Sequence, residues 1–156
     1  GVVHSREGFF VKETGSLIVR DTLCADEPHR FTQVWHMTGG HVERVGNICF
    51  STFTDANFVM VQLGNPEIEL FRGSKEPFKG WNCPAYDHMV AAPEINASLY
   101  GRQAVFETLV LPVRGAVDRN SLPVFEKKGS REKVVYNAAF RGMHVSVQAG
   151  AEWELL

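Results

Sequence analysis

Apolar and polar positions along this chain alternate with a period near two, in short runs rich in β-branched and aromatic residues, and helical periodicity is almost absent. Successive side chains of a strand point to opposite faces, so such alternation predicts strands with one buried and one wet face. Strands are expected at residues 8–13, 16–21, 29–37, 41–45, 48–53, 58–63, 67–71, 94–100, 103–111, 123–127, 133–140 and 144–148. The turn signals between them have a mechanism: Gly39-Gly40 and Gly46-Asn47 supply the positive φ that two-residue hairpins need. Residues 58–63 are apolar at both parities, which places them in a central strand covered on both sides. The expected fold is therefore all-β, a two-layer antiparallel β-sandwich of about 10–12 short strands, forming a single domain over residues 1–156.

Composition narrows the function more than the fold. With 156 residues, 44% of them apolar and 22% charged, the chain can fill one sizeable core without disulfides or a structural metal. A net charge of −2 offers no basic face to nucleic acid phosphates, so no nucleic-acid partner is expected. Cys24, Cys49 and Cys83 are odd in number and lack a close Cys-x-x-Cys spacing, which argues against a disulfide scaffold or zinc knuckle. No apolar run approaches the roughly 20 residues of a membrane-spanning helix, so no membrane partner is expected. The opening Gly1-Val2-Val3-His4-Ser5-Arg6 has neither an initiator methionine nor a signal-peptide core, and a processed chain or a piece of a longer protein is expected.

Residues 73–93 form the one long irregular stretch, with Trp81, Tyr86 and His88 set among Pro77, Gly80 and Pro84. Aromatic loops of this kind stack on the apolar faces of sugars; the competing role for Trp81 is to plug the end of the sandwich. Residues 127–133 carry the only basic run and read as a charged hairpin tip. Asn96-Ala97-Ser98 matches the glycosylation tripeptide, a pattern of low information.

Two further groups could carry chemistry. A hairpin tipped by Gly39-Gly40 would pair His36 with Glu43 and Thr38 with His41, putting His36, His41 and Glu43 on one face as a weak candidate zinc set. The alternate face would then be a core stripe of Phe31, Gln33, Trp35, Met37 and Val42. The plainer reading of the histidines is a polar cross-strand cluster. His4 and Arg6 share a face two residues apart, and Arg6 could grip a substrate carboxylate or bridge to an Asp or Glu on the next strand. No nucleophile elbow, phosphate-binding glycine loop or Ser/His/Asp arrangement is present, and no catalytic residue is assigned.

Taken in order, His4-Ser5-Arg6, Leu17-Ile18-Val19-Arg20-Asp21 and His29-Arg30-Phe31-Thr32-Gln33-Val34-Trp35-His36-Met37 resemble the C-terminal β-sandwich region of heparinase II/III-type polysaccharide lyases. Glu43-Arg44-Val45-Gly46-Asn47, Gly80-Trp81-Asn82-Cys83-Pro84-Ala85-Tyr86 and Phe106-Glu107-Thr108-Leu109-Val110-Leu111-Pro112 continue the likeness, which covers residues 1–112. The resemblance implies a bacterial parent enzyme, periplasmic or secreted, that cleaves uronic-acid polysaccharides by β-elimination. In such enzymes the catalytic Asn, His and Tyr come largely from an N-terminal helical toroid. A His-x-His-x-Asp-like stretch, sometimes with a bound divalent metal such as zinc, lies upstream of the part resembled here. No cofactor is expected in this chain itself. The leading expectation is thus the β-sandwich of such a lyase, bracing the toroid and lining a cleft for acidic polysaccharide through Trp81, Tyr86, His88 and Arg6, and inactive alone. The alternative is a free-standing carbohydrate-binding module, and a third reading is a small metal-dependent enzyme built on His36, His41 and Glu43.

Overall fold

A computed structural model describes residues 1–129, 134–150 and 153–156. Among them there is no helix, and the strands in chain order are β1 (Val2–Val11), β2 (Ser16–His36), β3 (Val42–Val45), β4 (Ile48–Ser51), β5 (Ala56–Gln62), β6 (Glu67–Arg72), β7 (Ser74–Lys75), β8 (Phe78–Lys79), β9 (Trp81–Ala85), β10 (His88–Ala91), β11 (Pro93–Arg114), β12 (Val124–Gly129), β13 (Val134–Phe140), β14 (Met143–Ala149) and β15 (Trp153–Leu155). All pairings are antiparallel. The all-β sandwich expected from the alternation is what forms. A large sheet runs β1-β2-β11-β5-β4-β3, with β6 on the first part of β11, and a small sheet runs β12-β13-β14-β15.

Two long strands, β2 and β11, replace four of the short ones expected. Asp26, Glu27 and Pro28 fall between two of the expected strands, yet the backbone stays extended there. Pro28 sits where the ladder lets it: between Gly101 and Gln103 of β11 the partner on β2 jumps from His29 to Cys24, so no cross-strand donor is required of it. The same irregularity shifts the parity of β11. Ile95 and Ala97 before it and Ala104 and Phe106 after it all join one buried cluster.

The core has two parts. One fills the space between the sheets, where Ile18, Phe50, Val59, Val61, Leu109 and Leu111 meet Phe125, Tyr136, Val145 and Val147. The other lies on the opposite face of the large sheet and includes Phe31, Cys49, Met60, Ile68, Ile95 and Phe106. All members of this second cluster come from a single sheet and are nonetheless buried, which requires the sheet to coil over itself. β5 is the hinge of this arrangement, sending Val59 and Val61 to one core and Met60 to the other, as its two-sided apolar pattern predicts. Phe31, Trp35, Met37 and Val42 of the expected stripe share the second core, and Gln33 of the same stripe is buried as a polar residue.

The Gly39-Gly40 hairpin does not form. β2 pairs instead with β11, with His36 opposite Glu94 and His29 opposite Gly101, while β3 pairs with β4 across the expected Gly46-Asn47 turn. The long ladder buries Phe31, Ile95 and Ala97, an amount of apolar surface that a local two-residue turn cannot match. Gly40 serves another purpose: at φ 78° it leaves room for the Phe53 ring, which a Cβ would overlap. Of the expected charged tip, Lys127, Lys128 and Gly129 belong to β12, and residues 130–133 lie outside the described residues. Asn96 is 1% exposed near the start of β11, so the glycosylation tripeptide is not presented as an acceptor.

Candidate functional site

The fold distributes the candidate residues between a ribbon at the start of β11 and the edge formed by β1. Residues 74–91 make this ribbon from two small hairpins, β7-β8 and β9-β10, rather than an irregular loop. Gly80 anchors it. Its N–H donates to the buried Glu94 carboxylate at 2.8 Å, and its carbonyl accepts from the N–H groups of Gly73 at 2.7 Å and Ala92 at 2.9 Å. With φ at 73° and the Arg72 backbone N only 2.6 Å from where a Cβ would stand, the position admits only glycine without distortion.

On this anchor the indole N–H of Trp81 donates to the Ser74 carbonyl at 2.7 Å, and its ring stacks on Phe78 with centroids 5.7 Å apart and planes 11° from parallel. Phe78 is 64% exposed, so the outer side of the pair is open to solvent. Lys75 lies directly opposite Phe78 across the β7-β8 ladder, and directly opposed residues share a face. The indole N–H of Trp81 is thus satisfied within the ribbon while its stacked partner Phe78 faces outward, and Trp81 belongs to neither buried cluster of the sandwich.

Tyr86 and His88 occupy the far end of the ribbon. Tyr86 is fully exposed at the tip, where Asp87 takes φ 56°, and His88 pairs with Ala85. Five residues separate Trp81 from Tyr86, about 16 Å along a strand, so the aromatic that gathers with Trp81 is Phe78. Sequence reasoning passed over Phe78. The available signal was Pro77-Phe78-Lys79-Gly80-Trp81, two aromatics three residues apart around a lysine and a glycine.

Arg6 projects from β1 beside His4, and both reach Asp21 on β2. Arg6 makes a two-pronged contact, Nε at 2.6 Å and Nη2 at 2.8 Å, and His4 Nε2 lies 2.9 Å away. Asp21 is 2% exposed and also accepts from Gln33 Nε2 at 2.7 Å. Burial opposes its charge, but the hydrogen bonds from Arg6, His4 and Gln33 outweigh burial and bring its carboxyl from 3.8 down to about 2. The chain of bonds continues inward. Gln33 Oε1 accepts from Trp35 Nε1 at 2.8 Å and Gln62 Nε2 at 2.8 Å, with the Thr108 hydroxyl at 2.9 Å. Four strands, β1, β2, β5 and β11, are tied together by it, and Arg6 is committed to this network as the bridging alternative describes.

His36, His41 and Glu43 are not gathered. His36 Nδ1 lies 3.9 Å from Glu94, His41 sits exposed in the segment before β3, and Glu43 contacts Arg119 at 3.4 Å. The face shared by these three depended on the hairpin that does not form. Among the described residues no three His, Cys, Asp or Glu side chains are grouped so as to hold a metal.

No protein-family model matches this chain, and no curated protein matches it. Solved structures do. The heparinase III described as the BT4657 gene product aligns over 96% of this chain and 24% of its own, with a TM-score of 0.74 and 14% identity. A mutant of the heparan sulfate lyase HepC from Pedobacter heparinus gives the same figures. Another heparinase III structure aligns over 94% of this chain and 23% of its own, with a TM-score of 0.73 and 15% identity. The chain spans about a quarter of the length of each. What these residues build is therefore the β-sandwich fold that heparinase III structures contain within that quarter.

Proposed function

We propose that this chain is the all-β portion of a polysaccharide lyase of the heparinase type, which braces a helical catalytic toroid and offers the 74–91 ribbon to an acidic polysaccharide. In this reading the parent is periplasmic or secreted, and it acts by β-elimination. A base removes the proton α to the uronate carboxylate while neighbouring groups neutralise the developing charge. Those groups belong to the rest of the enzyme, and this chain alone turns over no substrate. Its contribution is binding and orientation. The fold comparison supports a domain of such an enzyme.

The observation that carries the ribbon's role is the exposed Phe78 ring stacked on Trp81 with Lys75 on the same face. An aromatic face receives the C–H side of a pyranose ring, and an ammonium beside it pairs with a uronate carboxylate. Titrating hexuronate oligomers against the protein and following tryptophan fluorescence tests this. Saturable binding is expected, weakened about tenfold by Trp81→Ala or Phe78→Ala, as for the loss of about 1.4 kcal/mol of stacking. Phe78→Ala leaves the Trp81–Ser74 hydrogen bond in place and so separates contact from folding. Absence of saturable binding, or full affinity in both variants, overturns the reading.

A further inference from the structure

Beside the ribbon, between the segment leading into β3 and the end of β6, lies a pocket of about 160 Å³ lined by His41, Val42, Leu70, Phe71, Arg72 and Pro93. Arg72 donates from Nε to the Gly40 carbonyl at 3.2 Å, which holds its guanidinium at the rim. Its Nη groups make no hydrogen bond among the described residues. Lys79 reaches back from the ribbon and sets its ammonium 4.5 Å above the ring of Phe71, one wall of the pocket. His41, exposed, also lines the pocket.

The carboxylates nearest in sequence to this lining are all engaged elsewhere. Glu43 contacts Arg119 at 3.4 Å, Glu69 accepts from Arg30 at 3.1 Å, and Glu94 accepts from Gly80 at 2.8 Å. Arg72, in the pocket lining, and Lys79, above the ring of Phe71, therefore have no carboxylate partner among the described residues. Apolar walls from Val42, Leu70 and Pro93 reduce screening and strengthen attraction for an incoming anion. A planar fork, a compact ammonium and an imidazole around a small apolar hollow suit an oxyanion carried on a carbon skeleton.

We infer that this pocket is an anion subsite that takes the carboxylate or sulfate ester of an acidic saccharide. The assignment deepens the ribbon reading and rests on it. The test uses NMR titration of the whole chain with sodium sulfate and, separately, with unsulfated hexuronate oligomers, following the His41 ring and Arg72 Nε signals alongside Trp81 fluorescence. Saturable shifts of His41 and Arg72 are expected. Movement with sulfate alone identifies a sulfate-ester site, and movement with the uronate alone identifies a carboxylate site. Arg72→Gln and Lys79→Gln should each weaken oligomer binding about tenfold, with Arg72→Lys recovering part of the loss and with unfolding midpoints unchanged. If His41 and Arg72 stay still with both probes while Trp81 still responds to the oligomer, the subsite is refuted and the ribbon reading stands. If Trp81 is silent as well, both fall.

Discussion

Replacing Gly80 with alanine puts one methyl group against the backbone of Arg72, and its consequence is local. Holding an L-residue at φ 73° costs roughly 1–2 kcal/mol. The overlap, 2.6 Å to Arg72 N and 2.7 Å to Phe71 C, involves main-chain atoms, so no rotamer change relieves it. Gly80 must move and surrender its bonds to Gly73, Ala92 and Glu94, about 1 kcal/mol for each neutral bond and about 2 for the one to a carboxylate. The lost bonds amount to about 4 kcal/mol, close to the lower end of the stability of a whole domain. Yet no residue of 74–91 belongs to either buried cluster, so the ribbon can detach while the sandwich stays folded. The expected result for Gly80→Ala is an unfolding midpoint within a few degrees of wild type. Amide exchange at Gly73 and Ala92 should be faster by about three orders of magnitude, at roughly 1.4 kcal/mol per tenfold, and Trp81 emission should shift to the red. Preserved protection at those two amides, with Trp81 unchanged, would refute the anchoring role of Gly80.

Acid stability should report on Asp21. Its folded value of about 2 lies below the ordinary 3.8, so its contribution, about 2 kcal/mol, is fully present above the ordinary value and disappears as pH falls through the folded one. Asp21→Asn should flatten that part of the denaturation profile, and parallel profiles for the two proteins would count against the network. Tyr136, fully buried, donates to Glu107 Oε1 at 2.6 Å, and Lys127 reaches the same oxygen at 2.7 Å. Tyr136→Phe should lower stability by about 1–3 kcal/mol in urea denaturation, because the nearly buried Glu107 carboxylate loses one of its two donors among the described residues; an unchanged midpoint would contradict this.

Period-two alternation determined that this chain is all-β, that β5 would be covered on both faces and which side of residues 31–37 would be buried, and the turn chemistry of Gly46-Asn47 determined that it would close a hairpin. These are local properties, since alternation reports the face of each side chain whatever its neighbour. It also pointed to Trp81 as an aromatic in a special segment and to Arg6 beside His4. The tertiary structure decided which strand lies beside which. Gly39-Gly40 has the chemistry of a hairpin turn, but the partner of His36 is Glu94, because burial summed along the β2-β11 ladder outweighs a nearby turn. With that pairing the His36, His41 and Glu43 set dissolved, Glu94 became the acceptor for Gly80, and Phe78 came to lie on Trp81. Asp21 and Gln33 are twelve residues apart in one strand and meet because the large sheet coils, a curvature that emerges only when all its strands are in place.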